Sequence, residues 1–597
     1  MIKKLALIAF IFLFKQEIYA TKIKASTFST GYNATDVTTV FKAAIQASFD
    51  TVVIDFVGSG EWIVQPCTFT DLSNRTIIFE PNVQLIAKIG AFTDPDDCLF
   101  RLIRANNVII LGYGATFKMQ KSEYTGEYRH TLSIANCNAI TVKGLTLKDS
   151  GGDGIFITGE TYYGTQLYSE NIIVKDCVCD NHRRQGMSVI SAQNLTVENC
   201  IFKNTIGTLP EAGLDLEPSE PFHRIVNCVF KNCQFKNNNG KGIELAFTYL
   251  NATSTPVSAT FNDCYTTSNY QLTNAYDPGE ISATGHPLSF PTGNVTFNNL
   301  LVENSQWTAF RCRKQADSYS VVFNNSRFKN VSQNTRLYNN PIWIEVVDYF
   351  VPTTSFGGVV FDNVCVDFTT NMAALVFYGE TNATGLKNVT GNLGIVNTYQ
   401  LPPVYRNINA QSNVNFTTAI GCATVLSVQY LKPLSGQYLG ENILLQWATY
   451  NEQNNAYFEV ERSKNGLDFE KIGEMKGKNG NNQSRNYAFV DKNAAEGQNY
   501  YRLKQVDYNE KFTHSNIIVV AKKREIKLKI YPNPTSGMLY ISKSFLNNNS
   551  TGFTLFNSLG QVILQDNYMP EMIDLNDLKN GIYLLKVGNE VVKIVKE

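Results

Sequence analysis

The stretch Ala212–Pro221, AGLDLEPSEP, places two carboxylates, Asp215 and Glu217, two residues apart with a leucine between them. A third acid, Glu244, follows in GIEL. Acids are disfavoured in strands, so their presence in short β-like segments asks for a reason. Paired carboxylates can break a glycosidic bond, one giving a proton to the leaving oxygen while the other activates water or attacks carbon. Inversion needs them roughly 6.5–9.5 Å apart and retention about 5–5.5 Å. Asp215, Glu217 and Glu244 are therefore the candidate catalytic residues. The candidate substrate-binding residues are His182, Arg183, Arg184 and Gln185 of NHRRQ, Asp153 of GGDG, Lys241 ahead of GIEL, and Arg311 in FRC. The same set allows a second chemistry. Arg184 or Lys241 would abstract the proton α to a uronate carboxylate, and Ca²⁺ held by the acids would neutralise that carboxylate. A third reading has the cluster only contacting glycans. Hydrolysis requires no cofactor, and Ca²⁺ enters only with the lyase reading. No grouping has zinc-ligand spacing, and no Gly-rich phosphate loop occurs.

The residues around these acids repeat. ITVKGLTLKD (140–149), IIVKDCVCDN (172–181), LTVENCIFKN (195–204) and CVFKNCQFKN (228–237) each alternate apolar and polar positions, which is strand periodicity. Each leads to a Gly and a second short strand: GIFI, GMSV, GLDL and GIEL. Short strands recurring without intervening helices predict the coils of a solenoid that buries its apolar face by stacking. Asn at the corners suits left-handed backbone and hydrogen bonding to the coil beside it. The leucines of GLDL then point inward, and Asp215 and Glu217 point outward on one strand, with Cα atoms roughly 6.6 Å apart. That separation favours inversion. Counted from each Gly, Phe156, Ser188, Asp215, Glu244 and Arg311 share one column, and Asp153, Gln185, Ala212 and Lys241 another. Asp215 and Glu244 should be neighbours about 4.8 Å apart. From Cys200 to Gly213 the coil is four residues longer than its neighbours, so Thr205–Ala212 must bulge beside the acids.

This pattern resembles the right-handed parallel β-helix of the pectate-lyase-like superfamily over roughly residues 27–422. The resemblance implies an all-β solenoid and a carbohydrate-related role, in a superfamily that holds hydrolases, lyases, epimerases and inert adhesins. The polygalacturonase-like NTD strand, DD pair and HG are absent, as is the DPH of alginate epimerases, so no catalytic residue is carried over from either. DVTTVFKAAIQA (36–47) reads as an amphipathic helix closing the first coil.

The flanks define the organisation. Residues 1–20, with Lys3, Lys4 and an apolar run from Leu5 to Phe14, read as a signal peptide, which implies a mature chain without a transmembrane segment. Residues 21–422 form the solenoid with its cap. Residues 425–522 resemble a fibronectin type III-like sandwich, with Trp447 in its core and Asn465-Gly466 at a hairpin turn. Residues 525–597 carry YPNPTSG, LFNSLGQVI and LKNGIYLLKV and resemble a type IX secretion C-terminal sorting domain. That implies the secretion machinery as a partner and a location outside, or on the surface of, a Gram-negative cell. With 52 basic and 52 acidic residues, no global field points to nucleic acid. A polysaccharide is the expected substrate, and the arginines tilt this towards an acidic one. Cys177, Cys200, Cys233 and Cys264 recur at one repeat position and are expected as buried thiols, whereas Cys67 and Cys98 could pair.

Overall fold

The structure, a computed structural model, describes residues 22–597 except 164, 166, 271–278, 335–338, 347–354, 380–384, 423–428, 453–454, 467, 479, 509, 511, 523–527, 543–551 and 589. The expected signal peptide lies outside the described residues. The chain divides into two compact units, Met1–Asn493 with Gln498–Val520, and Ala494–Gly497 with Ala521–Glu597.

The first unit begins with the helix Thr38–Gln46, which buries Val40, Phe41, Ala44 and Ile45 against the first coil. Every coil then takes one course. Ala192–Glu198 runs extended, the backbone turns at Asn199 with φ 55, Ile201–Lys203 follows, and Asn204 turns again with φ 58. Asp176, Asn232 and Asn237 occupy equivalent corners with φ of 56, 51 and 56. Asn tolerates this left-handed backbone because its short amide bonds locally. Asn194 Nδ2 donates to Asn171 Oδ1 at 3.0 Å, and Asn227 Nδ2 to Asn194 Oδ1 at 2.8 Å. That corner forms an amide ladder, whereas the Asn residues that close the repeats bond to aspartates one coil back, Asn181 to Asp149 and Asn204 to Asp180, each at 2.7 Å.

These strands build a 24-stranded sheet that wraps two sides of the solenoid. The remaining side is a 12-stranded parallel sheet. Its central strands are β1 (Leu132–Ala135), β2 (Ile155–Thr158), β3 (Gln185–Val189), β4 (Ala212–Leu216), β5 (Ile243–Ala246), β6 (Ile281–Thr284), β7 (Phe310–Arg313) and β8 (Ile342–Glu345). Leu214 and Leu216 are fully buried in the interior, each contributing about 1.5–3 kcal/mol and fixing which face of β4 is outside. Rings stack from coil to coil, as in Phe230–Phe261–Phe297 with centroids 4.7 and 4.6 Å apart.

Cys177, Cys200, Cys233 and Cys264 are buried thiols. Cys67 and Cys98 are also free and do not pair. A disulfide does form between Cys365 and Cys422, 57 residues apart at the far end of the solenoid. Closing a loop of that length restrains the unfolded chain by about 4 kcal/mol.

After the solenoid, the three-stranded sheet of Gln429–Leu439, Asn442–Glu452 and Gly480–Asp491 faces a five-stranded antiparallel sheet built on Asn455–Ser463 and Gly497–Asp507. Trp447 is 2% exposed and stacks on Tyr487 at 5.2 Å. Asn465 and Gly466 lie between paired strands Asn455–Ser463 and Glu470–Lys476, in a loop longer than a two-residue turn. The second unit has its own core of Leu539, Ile541, Phe553, Leu555, Leu585 and Ile594, between a three-stranded and a four-stranded sheet.

Candidate functional site

In β4 the outward residue Asp215 pairs in register with Ser188 of β3 on one side and Glu244 of β5 on the other. Facing outward does not make it exposed: Asp215 is 1% exposed and Glu244 9%. Their neighbours close over them. Gln185 Nε2 donates to Asp215 Oδ2 at 2.7 Å, and its Oε1 accepts from the Ala212 backbone N–H at 3.1 Å. Lys241 Nζ donates to Glu244 Oε1 at 2.6 Å. Asp215 Oδ1 and Glu244 Oε2 are left buried with no hydrogen-bond partner. Parallel neighbours are roughly 4.8 Å apart, so a proton on Asp215 Oδ1 would satisfy both oxygens. The electrostatics agree. Burial, then the charges of Glu244 and Glu217, push the Asp215 carboxyl well above the usual carboxylate range.

Glu217 follows the end of β4, and its side chain is 33% exposed. Arg184 Nη2 donates to Glu217 Oε2 at 2.7 Å, and the same guanidinium lies 3.3 Å from Glu127 and 3.8 Å from Asp153. Asp153 is fully buried, and neither carboxyl oxygen has a hydrogen-bond partner. Burial raises its carboxyl to about 7 against the pull of Arg184, with Glu217 and Glu127 adding to the rise. The Asp153 backbone N–H donates to His130 Nδ1 at 3.0 Å, so that nitrogen carries no proton. Burial, and secondarily Arg184, hold His130 well below its ordinary value. Its ring stacks on Phe156 at 4.2 Å.

The long coil bulges where expected. Thr208 N–H donates to Arg183 O at 2.8 Å, Arg183 Nε to Thr208 Oγ1 at 3.1 Å, and Thr208 Oγ1 to Gly126 O at 3.1 Å. The bulge is thereby tied to the turn that carries Glu127 and Tyr128. Leu209 of the bulge is 66% exposed and Tyr128 of the turn 53%.

Not every predicted site residue arrives here. His182 is fully buried, its Nδ1 2.8 Å from Ser150 Oγ. Burial, then the charge of Lys121, lower it to about 3, so it is a neutral corner residue out of reach of a substrate. Gln185 orients Asp215 and is itself buried. Arg311 shares the Asp215 column, but Ser282 intervenes, and it lies roughly 10 Å beyond Glu244 at two strand spacings. There it bonds Glu345 at 2.9 and 2.7 Å, together with Arg313 at 3.3 Å and Trp343 Nε1 at 2.6 Å. Trp307 is 6% exposed and packs against Tyr270. Sequence reasoning missed Glu127, Tyr128 and His130, which come from a turn that follows no repeat. The register of β1 against β2 was the one signal that could have found them.

Residues 96–277 match a family described as right handed beta helix region, and residues 529–597 a secretion system C-terminal sorting domain. The solenoid is a right-handed parallel β-helix. Its tail marks the chain for type IX secretion, a route to the cell surface or beyond. A curated relative, the uncharacterized protein YclG of Bacillus subtilis, is 27% identical over 136 residues, 20% of this chain. The chain spans only 23% of that relative's length. Among solved structures, the Streptococcus pneumoniae surface protein and adhesin PfbA is 12% identical with a TM-score of 0.44, over 67% of this chain and 100% of that one. The A-module of an Azotobacter vinelandii mannuronan C-5 epimerase is 11% identical with a TM-score of 0.41, over 66% and 99%. A tailspike capsular polysaccharide depolymerase of an Acinetobacter baumannii bacteriophage is 10% identical with a TM-score of 0.35, over 87% and 83%.

Proposed function

We propose that this β-helix protein is an exported glycoside hydrolase acting on a polysaccharide by inversion. One arrangement carries the reading: a buried carboxyl crowded by a second acid, Asp215, lies two residues before Glu217, a carboxylate held by an arginine and partly open to solvent. Two acids whose surroundings separate their proton affinities are the mark of an acid–base pair. Glu217 takes the proton of the attacking water, and Asp215 protonates the leaving oxygen once Gln185 and Lys241, which cover it, swing aside. Glu244 keeps Asp215 charged with its proton. Asp215 with Glu244 is not the working pair, because Glu244 is buried and bound by Lys241, whereas Glu217 reaches solvent.

The arrangement also speaks to the substrate. Glu127, Asp153, Asp215, Glu217 and Glu244 converge on only two cations, Arg184 and Lys241, and both cations are ion-paired at 2.7 and 2.6 Å. Both cations are already engaged by carboxylates, which leaves little to hold an anionic sugar, so the reading moves from an acidic glycan to a neutral one. The lyase reading loses its parts for the same reason. Its candidate bases are both engaged in close ion pairs with carboxylates. Ca²⁺ wants about six to eight oxygen ligands, whereas Asp215 and Glu244 each have one oxygen uncommitted, with an ammonium beside them. These residues do not fit that ion.

The test is purified full-length protein on a panel of neutral and acidic polysaccharides, followed by reducing-sugar release and by ultraviolet absorbance. New reducing ends on a neutral glycan without new absorbance support the proposal. Absorbance from an unsaturated sugar selects the lyase, and saturable binding without turnover selects a glycan-binding surface protein.

A further inference from the structure

A second cleft lies on a different side of the solenoid from the acids. The short strands Gln234–Lys236, Tyr265–Thr267 and Leu301–Glu303 stack in register and present Lys236, Tyr265, Leu301 and Glu303 outward. The sandwich roofs them with Tyr430, Gln505 and Asp507. It is seated nearby through Asn199 Nδ2, which donates to Ser515 O at 3.4 Å, and through Tyr113 edge-on to Tyr500 at 6.1 Å. Beyond that seat the two surfaces part and enclose a cavity of about 280 Å³, just under the roughly 300–1,000 Å³ typical of small-molecule pockets.

The lining has two characters. Tyr265, Leu301 and Tyr430 offer ring and aliphatic surface. Asn232, Gln505 and Asp507 offer amide and carboxylate groups. The charges are mixed, with Lys231 and Lys236 against Asp263, Glu303 and Asp507, so the space carries no single-sign field to select an ion. A ligand with an apolar face and several hydroxyls answers both characters of the lining.

We infer that the cleft between solenoid and sandwich is a second, non-catalytic binding site for a short neutral saccharide, its CH face against Tyr265 and Tyr430 and its hydroxyls against the amide and carboxylate wall. It does not depend on the catalytic reading of the other face, and it gives the sandwich a part in holding a glycan.

The test uses full-length protein carrying Asp215→Asn, so that nothing is turned over, and saturation-transfer NMR with titration of glucose, galactose, mannose, xylose, cellobiose, maltose and lactose. At least one sugar should bind saturably. Tyr265→Ala should weaken it by about tenfold, and Thr267→Trp, which fills the cleft while leaving Tyr265 in place, should abolish it. Glu217→Gln should leave it unchanged. Thermal melts confirm that each variant is folded, and Tyr265→Leu, which keeps the bulk and removes the ring, serves if Tyr265→Ala does not fold. The inference is overturned if no sugar on the panel binds. It is equally overturned if binding survives Thr267→Trp, or is lost in Glu217→Gln and kept in the cleft variants.

Discussion

Two charged clusters sit on one face of the solenoid, a few strands apart, and they are built to opposite ends. Around Glu345 on β8, a single buried carboxylate, 1% exposed, meets Arg311, Arg313 and the Trp343 N–H, and both of its oxygens are used. Around Asp215 on β4, acids outnumber cations, and Asp215, Glu244 and Asp153 all keep buried oxygens without partners. A satisfied polar network rigidifies a fold, whereas an under-satisfied one stores proton affinity and costs stability. The first cluster is structural cement between coils. The second has the form of a reactive site.

The largest effect should come from the second cluster. Asp215→Asn and Glu217→Gln should each lower glycan cleavage by about 10²–10⁴-fold, the range for losing a general acid or base. Neither should lower the melting temperature, and Asp215→Asn should leave it unchanged or higher, because an amide relieves crowded acids. Cleavage by both variants at the wild-type rate would refute the site.

The same substitution logic applied to the first cluster must give the reverse. Glu345→Ala leaves two half-buried guanidiniums without their counter-ion and should cost about 3–5 kcal/mol of stability. Activity per folded molecule should be preserved. A loss of turnover in well-folded Glu345→Ala protein would erase the distinction between the clusters.

What the sequence conveyed about these clusters follows from what a repeat encodes. Alternation, the corner Asn residues and the Gly before each second strand set the register, and the register put Asp215 beside Glu244. Burial was not encoded there, because the cover comes from Gln185 and Lys241, side chains of other coils folded over the strand. Glu127 and His130 were invisible for a related reason: they lie on a turn whose length varies freely in a solenoid. Glu345 escaped because IWIE has no preceding Gly to align it with the earlier coils. The Cys365–Cys422 bridge joins residues 57 apart, beyond the span of any local pattern.

A smaller and sharper probe is the pH dependence of stability. Asp153 has a folded value raised to about 7 against about 3.9 unfolded. Its protonated form is therefore the one the fold prefers. Its contribution is complete below about pH 4 and is lost as pH rises towards 7. Asp153→Asn should remove that slope, so the difference in melting temperature between variant and wild type should widen between pH 4 and 7. Parallel curves for wild type and Asp153→Asn would mean that Asp153 is ionised in the fold throughout.

The smallest expected effect separates two adjacent residues. Arg183 and Arg184 are equivalent in the sequence, and each was an equal candidate for holding substrate. In the structure, Arg184 points into the cluster and touches three carboxylates, whereas Arg183 turns to the bulge and donates to a neutral hydroxyl on Thr208. Arg183→Ala should therefore change stability by no more than about 0.5 kcal/mol, the usual range for a surface substitution away from special features, and should leave kcat unchanged on a neutral glycan. If Arg183→Ala instead raised KM selectively for an anionic glycan, Arg183 would be a free cation serving the substrate. The charge balance that distinguishes the two clusters would then have to be redrawn with Arg183 inside the reactive one.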